Sequence, residues 1–395
     1  MKELLFFTAV FLFLSLANGF VGHASTSRKP ARIRIENRRS QEAADRGCVS
    51  LPNDIDVSGL TTFVQIARFL QHDREPPERL WKQMEESPGY SILLKSEFTK
   101  VGFREPFRLA LMPSRRPDRD RALGNKSIRY LDHYSEWVPK ALPRFPSLLS
   151  GLLKKIDPCA IAKVAGAYLP SGVDLRPPRI SVVIFSPDAR GYDPIVLDLS
   201  VMETCPGQSL QLLLAHEFHH NFRKRIQGHP REPSNLVDEQ LLWALDQLQA
   251  EGIADLINVP DCLRRPTDFP ASLQKAIADY SRHLAAASES LRSFDILIRR
   301  IRSNELKDPS DIEMEVRKAL PFSGHPTGFH MARLIKEKFG IERLREHVAD
   351  PFSFIHEYQL AAKQAKGSRY GSDVHLFSPE ALKWIDGLRA RMVAP

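Results

Sequence analysis

Apolar residues recur at spacings of three and four through most of the chain. Leu60, Phe63, Ile66, Ala67 and Leu70 form the first such stripe, the one-sided pattern of an amphipathic helix. Leu80, Trp81, Met84 and the segment 91–112 continue in short helices, and Tyr134 to Ala167 is helical but interrupted at Pro139, Pro143, Pro146 and Pro158, since a proline ring stops or kinks a helix. The pattern then changes. Ile180–Phe185 is a compact run of β-branched and aromatic residues; Pro187, Asp188, Gly191 and Asp193 supply turn chemistry, and Ile195–Leu199 follows as a second run. Two such runs around a turn-rich link predict a hairpin. From there the helical spacing returns and predicts helices over 208–227, 236–258, 272–304, 311–320, 327–339, 341–348, 352–366 and 379–391. Helices, a small sheet, then helices predict a helix-dominated α+β fold, with a small β-hairpin or sheet ahead of the helix at 208–227.

The N-terminus departs from this scheme. Lys2 precedes Leu4–Leu16, an apolar run broken only by Thr8 and Ser15, and small residues follow at Ala17, Gly19, Gly22 and Ala24. This predicts a secretory signal over residues 1–24, too short for a comfortable membrane span, and hence an exported chain, anchored to the membrane if the signal stays uncleaved. Residues 25–50 are polar and basic and read as a disordered lead-in. No later run approaches a membrane span.

Composition is that of an ordinary folded protein, 43% hydrophobic and 26% charged. The net charge of +8 owes much to two arginine-rich stretches, one over Arg28–Arg39 and one at Arg115, Arg116, Arg119 and Arg121. Neither is interleaved with aromatics or joined to a nucleic-acid-binding signature, so no specific nucleic-acid partner is expected. The four cysteines, Cys48, Cys159, Cys205 and Cys262, permit two disulfides in an exported chain and leave the pairing open.

Chemistry concentrates in the helix that follows the sheet. Leu210, Leu213, Leu214, Phe218 and Phe222 mark its buried face, and within it lies His216-Glu217-Phe218-His219-His220, an HExxH string. With 13 histidines in 395 residues, such a string arises by chance on the order of a few hundredths of the time. Residues four apart on a helix differ by only ~40° and lie ~6 Å apart, so two imidazoles face one point. There they can bind a single zinc ion, and Glu217 projects beside it as a base for water. His219 points to another side, towards supporting residues or the surface.

A catalytic zinc site needs a third protein ligand and an open position. Leu241, Leu242, Leu245, Leu248 and Ile253 mark a return helix that carries Glu251-Gly-Ile-Ala-Asp255. Glu251 is the favoured third ligand. Asp255, one turn later on the same face, is placed to accept the second ring N–H of a ligand histidine. His229, Asp238, Glu239 and Asp246 are rivals with less support.

HEFHH followed by EGIAD resembles the gluzincin pattern of thermolysin-like metallopeptidases. More closely, from about Asp54 onward, the chain resembles a family of exported zinc-dependent peptidases. The likeness includes the two β runs and Gly324-His-Pro-Thr-Gly-Phe-His-Met-Ala332. It implies a zincin-like domain over 51–395, with a helical part 51–175, a catalytic core 176–260 and a helical part 261–395. It also implies one zinc per chain on His216, His220 and Glu251, with Glu217 as base and Asp255 behind them.

Two further parts of a hydrolytic site are expected. An edge strand lines the cleft of zinc peptidases, and Ile195–Leu199 is the candidate. A donor must meet the developing oxyanion; His325, at a helix start before Pro326, is the candidate, with His330, Tyr358 and Tyr370 behind it. The resemblance leads one to expect a tyrosine near 329 or 330, where this chain has Phe329 and His330. The expected activity is hydrolysis of a peptide or protein. Zinc-dependent cleavage of cell-wall or small amides is an alternative, as is a zinc-stabilised exported binding protein without turnover.

Overall fold

The structure, a computed structural model, describes residues 54–392 apart from 99–101, 127, 129, 229–232, 234 and 367–373. The expected signal, the basic lead-in, Cys48, His229 and Tyr370 lie outside the described residues.

A four-stranded sheet sits among many helices. Its strands are β1 (Ile55–Asp56), β2 (Ile180–Val183), β3 (Ala189–Arg190) and β4 (Ile195–Asp198), in the order β1-β2-β4-β3. The helices that build the site are α1 (Ser58–Gln71), α2 (Pro158–Gly166), α3 (Ser209–Ile226), α4 (Leu236–Arg264), α5 (Ala271–Ala285), α6 (His325–Phe339) and α7 (Pro351–Ala365). The α+β class read from the sequence therefore holds. The expected helix 272–304 is broken at Ala286, where α5 ends and a separate helix begins at Ala287.

The pairing of the strands corrects the expected hairpin. β2 and β4 run parallel, with Ile180 opposite Ile195 and Val183 opposite Asp198. The chain between them travels past β4 and returns, adding β3 antiparallel on the outer side, Ala189 opposite Leu197. Asp198 holds this path open: its carboxylate accepts from the backbone N–H groups of Phe185 at 2.6 Å and Ser186 at 3.1 Å. β2 and β4 are buried at every position, as suits central parallel strands covered on both faces. The edge strands are therefore β1 and β3, and Ile195–Leu199 is interior.

Packing places α4 between α3 and α6. A Cβ on Gly252 would lie 2.4 Å from the carbonyl carbon of Gly328, and one on Gly328 would lie 2.3 Å from the carbonyl oxygen of Leu248. No real Cβ tolerates such distances, so α4 and α6 cross backbone to backbone because both residues are glycine. The crossing sets His325, three residues before Gly328, beside Glu251 and Asp255, which flank Gly252. α1 packs on β2 and joins the main core through Phe63 and Ile66. Cys159 is disulfide-bonded, whereas Cys205 and Cys262 are free thiols. Among the described residues no helix is long and apolar enough to cross a membrane.

Candidate metal centre

On α3 the fourfold spacing brings the Nε2 atoms of His216 and His220 to 2.9 Å. From α4, Glu251 Oε2 lies 3.0 Å from His220 Nε2 and 3.4 Å from His216 Nε2. Among the described residues these three form the one His, Cys, Asp or Glu group of three whose ligand atoms all fall within 4.8 Å of one another. Ligands about 2.0–2.1 Å from a tetrahedral ion stand roughly 3.3 Å apart, so the spacing suits one small cation. The donor set, two imidazoles and a carboxylate, suits zinc.

Glu217 supplies an independent test of that fit. It is fully buried, and neither carboxylate oxygen has a hydrogen-bond partner. A buried anion with no partner is costly; a neighbouring cation and the water it binds would relieve it.

The partners of the ring nitrogens orient the ligands. His216 Nδ1 faces Asn258 Oδ1 at 3.2 Å and Asp255 Oδ1 at 3.5 Å. Donating there leaves Nε2 as the atom that would offer its lone pair to a metal once its own proton is displaced. Asp255, expected to accept from a ligand histidine, takes its closest contacts elsewhere: it accepts from Tyr280 Oη at 2.8 Å and faces His325 Nδ1 at 3.0 Å. His325 is buried, its ring stacked 6.1 Å from that of His216, with Nε2 3.4 Å from Glu251 Oε2. Asn258 and Tyr280 escaped the sequence reading. Asn258 follows Asp255 by three positions on one helix face, a signal that was present. Tyr280 lies on α5 and carries no local signal.

The rivals are engaged elsewhere or distant. Asp238 receives Arg391 at 2.8 Å, and Asp246 receives Arg223. Glu239 lies twelve residues before Glu251 on α4, about 18 Å along the axis. Tyr358 donates its hydroxyl to the His375 carbonyl at 2.8 Å. His330, five residues after His325, turns about 140° away from it around α6, its ring 6.3 Å from that of Tyr358. His219 is fully buried, and burial together with its positive neighbours holds its ring neutral.

The chain reaches the centre at Gly191, just after β3. A Cβ there would lie 2.8 Å from His220 Cβ and 3.0 Å from Glu217 Oε2, so glycine lets the chain run against both. Lys224, one turn beyond His220, donates to the Gly191 carbonyl at 3.0 Å. Arg190 is buried between Asp188 at 2.6 Å and Glu97 at 2.7 Å. Burial pushes Asp188 up to about 6, against the pull of Arg190 and with a further push from Glu217.

Protonation couples to metal loading. Burial alone would lower His216, but the hydrogen-bonding Glu251 carboxylate, with Glu217 and Asp255 nearby, pushes it up to about 10. At pH 7 the metal-free ring therefore holds a proton that metal binding must displace. Zinc loading should release protons and weaken as pH falls. Calorimetry in buffers of different ionisation enthalpy checks this, with net proton release expected at pH 7.

A family model described as "Putative zinc dependent peptidase (DUF5700)" matches residues 81–367. No curated protein and no solved structure matches the chain. The matched span is well over half of the chain and contains α3, α4 and α6 with every residue of the centre, so the chain belongs to the DUF5700 family.

Proposed function

We propose that the protein is an exported metallopeptidase that holds one zinc ion on His216, His220 and Glu251 and hydrolyses peptide bonds. The observation that carries this reading is the convergence of three donor atoms from two helices beside a buried carboxylate without a partner. Three protein ligands leave a fourth position open, the arrangement of catalytic rather than structural zinc. When bound, zinc supplies a Lewis acid that polarises a carbonyl and acidifies water.

The chain's own residues do the rest. Glu217 accepts a proton from the attacking water and passes it to the leaving nitrogen. His325, with Nε2 towards the Glu251 side of the centre, donates to the carbonyl oxygen as charge develops there. Asp255, fixed by Tyr280, holds the His325 ring, and Asn258 holds that of His216. Export is supported by the apolar Leu4–Leu16 run and its small-residue flank.

Metal analysis of the purified protein beside His220→Ala and Glu251→Ala tests the reading. One zinc per chain is expected in the wild type. Each variant should lose at least ~100-fold in zinc affinity, since it removes a ligand outright rather than a supporting partner. Wild-type protein that takes up no stoichiometric zinc, or variants that bind it unchanged, would overturn the assignment.

A further inference from the structure

The metal centre is most accessible on the His220 side. Of the three ligands, His220 exposes 11% of its side chain, against 1% for His216 and 6% for Glu251. One turn further along the same face of α3 stands Lys224, exposed at the surface. Helical side chains lean back towards the N-terminus, so its stem lies over the His220 turn. The ammonium donates to the Gly191 carbonyl at 3.0 Å and sits 5.7 Å from the centre of the Tyr192 ring. Gly191 is itself pressed against the centre, since a Cβ there would lie 2.8 Å from His220 Cβ and 3.0 Å from Glu217 Oε2. A positive charge is therefore held at the rim of the centre, on its accessible side, and the hydrolytic chemistry does not use it.

We propose that Lys224 binds a carboxylate of the substrate, either a free C-terminal carboxylate or an acidic side chain close to the cleaved bond, and so makes the enzyme selective for peptides that carry a negative charge there. The proposal rests on the metallopeptidase reading. His220 and Lys224 stand one helical turn apart, about 6 Å, and an extended peptide advances about 3.3 Å per residue, so the carboxylate belongs within roughly two residues of the cleaved bond. Three observations support a role beyond fixing the chain at Gly191. First, an ammonium has three N–H donors, and among the described residues Lys224 spends one on a carbonyl and forms no ion pair with a carboxylate. Second, the arginines on either side of it are committed. Arg223 holds Asp246 and donates to Gln249 at 2.8 Å, and Arg225 donates to the carbonyls of Asp174 and Arg176, both at 2.8 Å. Asp246, the acid that could have neutralised Lys224, is thereby taken. Third, the ammonium is flanked by protein: desolvation lowers its pKa, while Glu217 and Glu251 lie near enough to pull it up. A carboxylate bound there is screened less than one on an open surface.

The test uses three zinc-chelating peptidyl hydroxamates of one backbone. One is neutral, with a C-terminal amide; one has a free C-terminal carboxylate; one has the amide and a glutamate side chain. Each is titrated by calorimetry into the zinc-loaded protein, its Lys224→Met variant and its Lys224→Arg variant. At least one carboxylate compound should bind the wild type ~10-fold more tightly than the neutral one, as a charge-assisted hydrogen bond provides, and the one that does so identifies the source of the carboxylate. Lys224→Met should erase that preference, and Lys224→Arg should keep part of it. In the wild type alone, raising the ionic strength from about 0.1 M to 1 M should shrink the preference, a check that stands even if the variants do not fold. Equal binding of the neutral and both carboxylate compounds, or a preference that survives in Lys224→Met, would overturn the carboxylate site while leaving the metal centre standing. So would a Lys224→Met variant that weakens all three compounds alike, because the lysine would then only fix the chain at Gly191. Failure of all three to bind the wild type would overturn the metal reading and this proposal with it.

Discussion

Glu217→Gln should keep one zinc per chain and lose peptide hydrolysis by about 10²–10⁴-fold, the usual contribution of a positioned general base. The substitution preserves shape and removes charge. Glu217 is one residue from His216, so its side chain leaves α3 beside the shared ligand atoms rather than among them, and zinc retention follows. Neither of its oxygens has a hydrogen-bond partner at full burial, so the amide forfeits no hydrogen bond within the protein. The charge should also be missed by Asp188, whose pKa Glu217 helps to raise; in the variant that carboxyl should titrate at lower pH, which carbon-detected NMR of the labelled side chain can follow. Metal analysis and cleavage of fluorogenic peptides together check the main expectation. Turnover at the wild-type rate would remove Glu217 from the role of base; loss of zinc would mean that it binds the ion.

The helices that carry this site were legible because burial writes a period of three to four into the sequence. Leu210, Leu214 and Phe218 on α3, and Leu241, Leu245 and Leu248 on α4, are fully or almost fully buried. The same periodicity makes His216, His220 and Glu251 readable as residues on known helix faces. It says nothing about neighbours across space. Ile180–Phe185 and Ile195–Leu199 were recognisable as strands, but a run of β-branched residues is compatible with either direction of pairing and with either an edge or an interior place. The parallel pairing depends on Asp198 catching the backbone at Phe185 and Ser186, a long-range choice invisible to local pattern. The edge strand β3 was missed for a similar reason, since two residues, Ala189 and Arg190, are too few to show alternation. Asp255 was read as the partner of a ligand histidine, yet its closest contacts, Tyr280 and His325, come from α5 and α6, and only the packed fold decides which ring a carboxylate meets.

The second large effect is expected at the helix crossing. Gly328→Ala should destabilise the protein by about 3 kcal/mol or more, beyond the usual range for an overpacked core. The added methyl would meet the Leu248 carbonyl at 2.3 Å and the Gly252 backbone at 3.0 Å. Both are main chain within a continuous helix, and neither can swing aside as a side-chain tip could. α6 must therefore lift from α4, which draws the His325 ring off Asp255 and Glu251. Zinc affinity should fall together with stability, although residue 328 touches no ligand. Gly252→Ala should act alike, since its methyl would lie 2.4 Å from the Gly328 carbonyl group. Gly124→Ala is the control: its helical position has nothing within 4 Å of the new methyl, and alanine there should be neutral or stabilising by up to about 1 kcal/mol. Denaturant unfolding and zinc titration of the three variants separate the outcomes. If Gly328→Ala unfolds with the wild-type midpoint and holds zinc with wild-type affinity, the backbone contact between α4 and α6 is not what brings His325 to the metal centre.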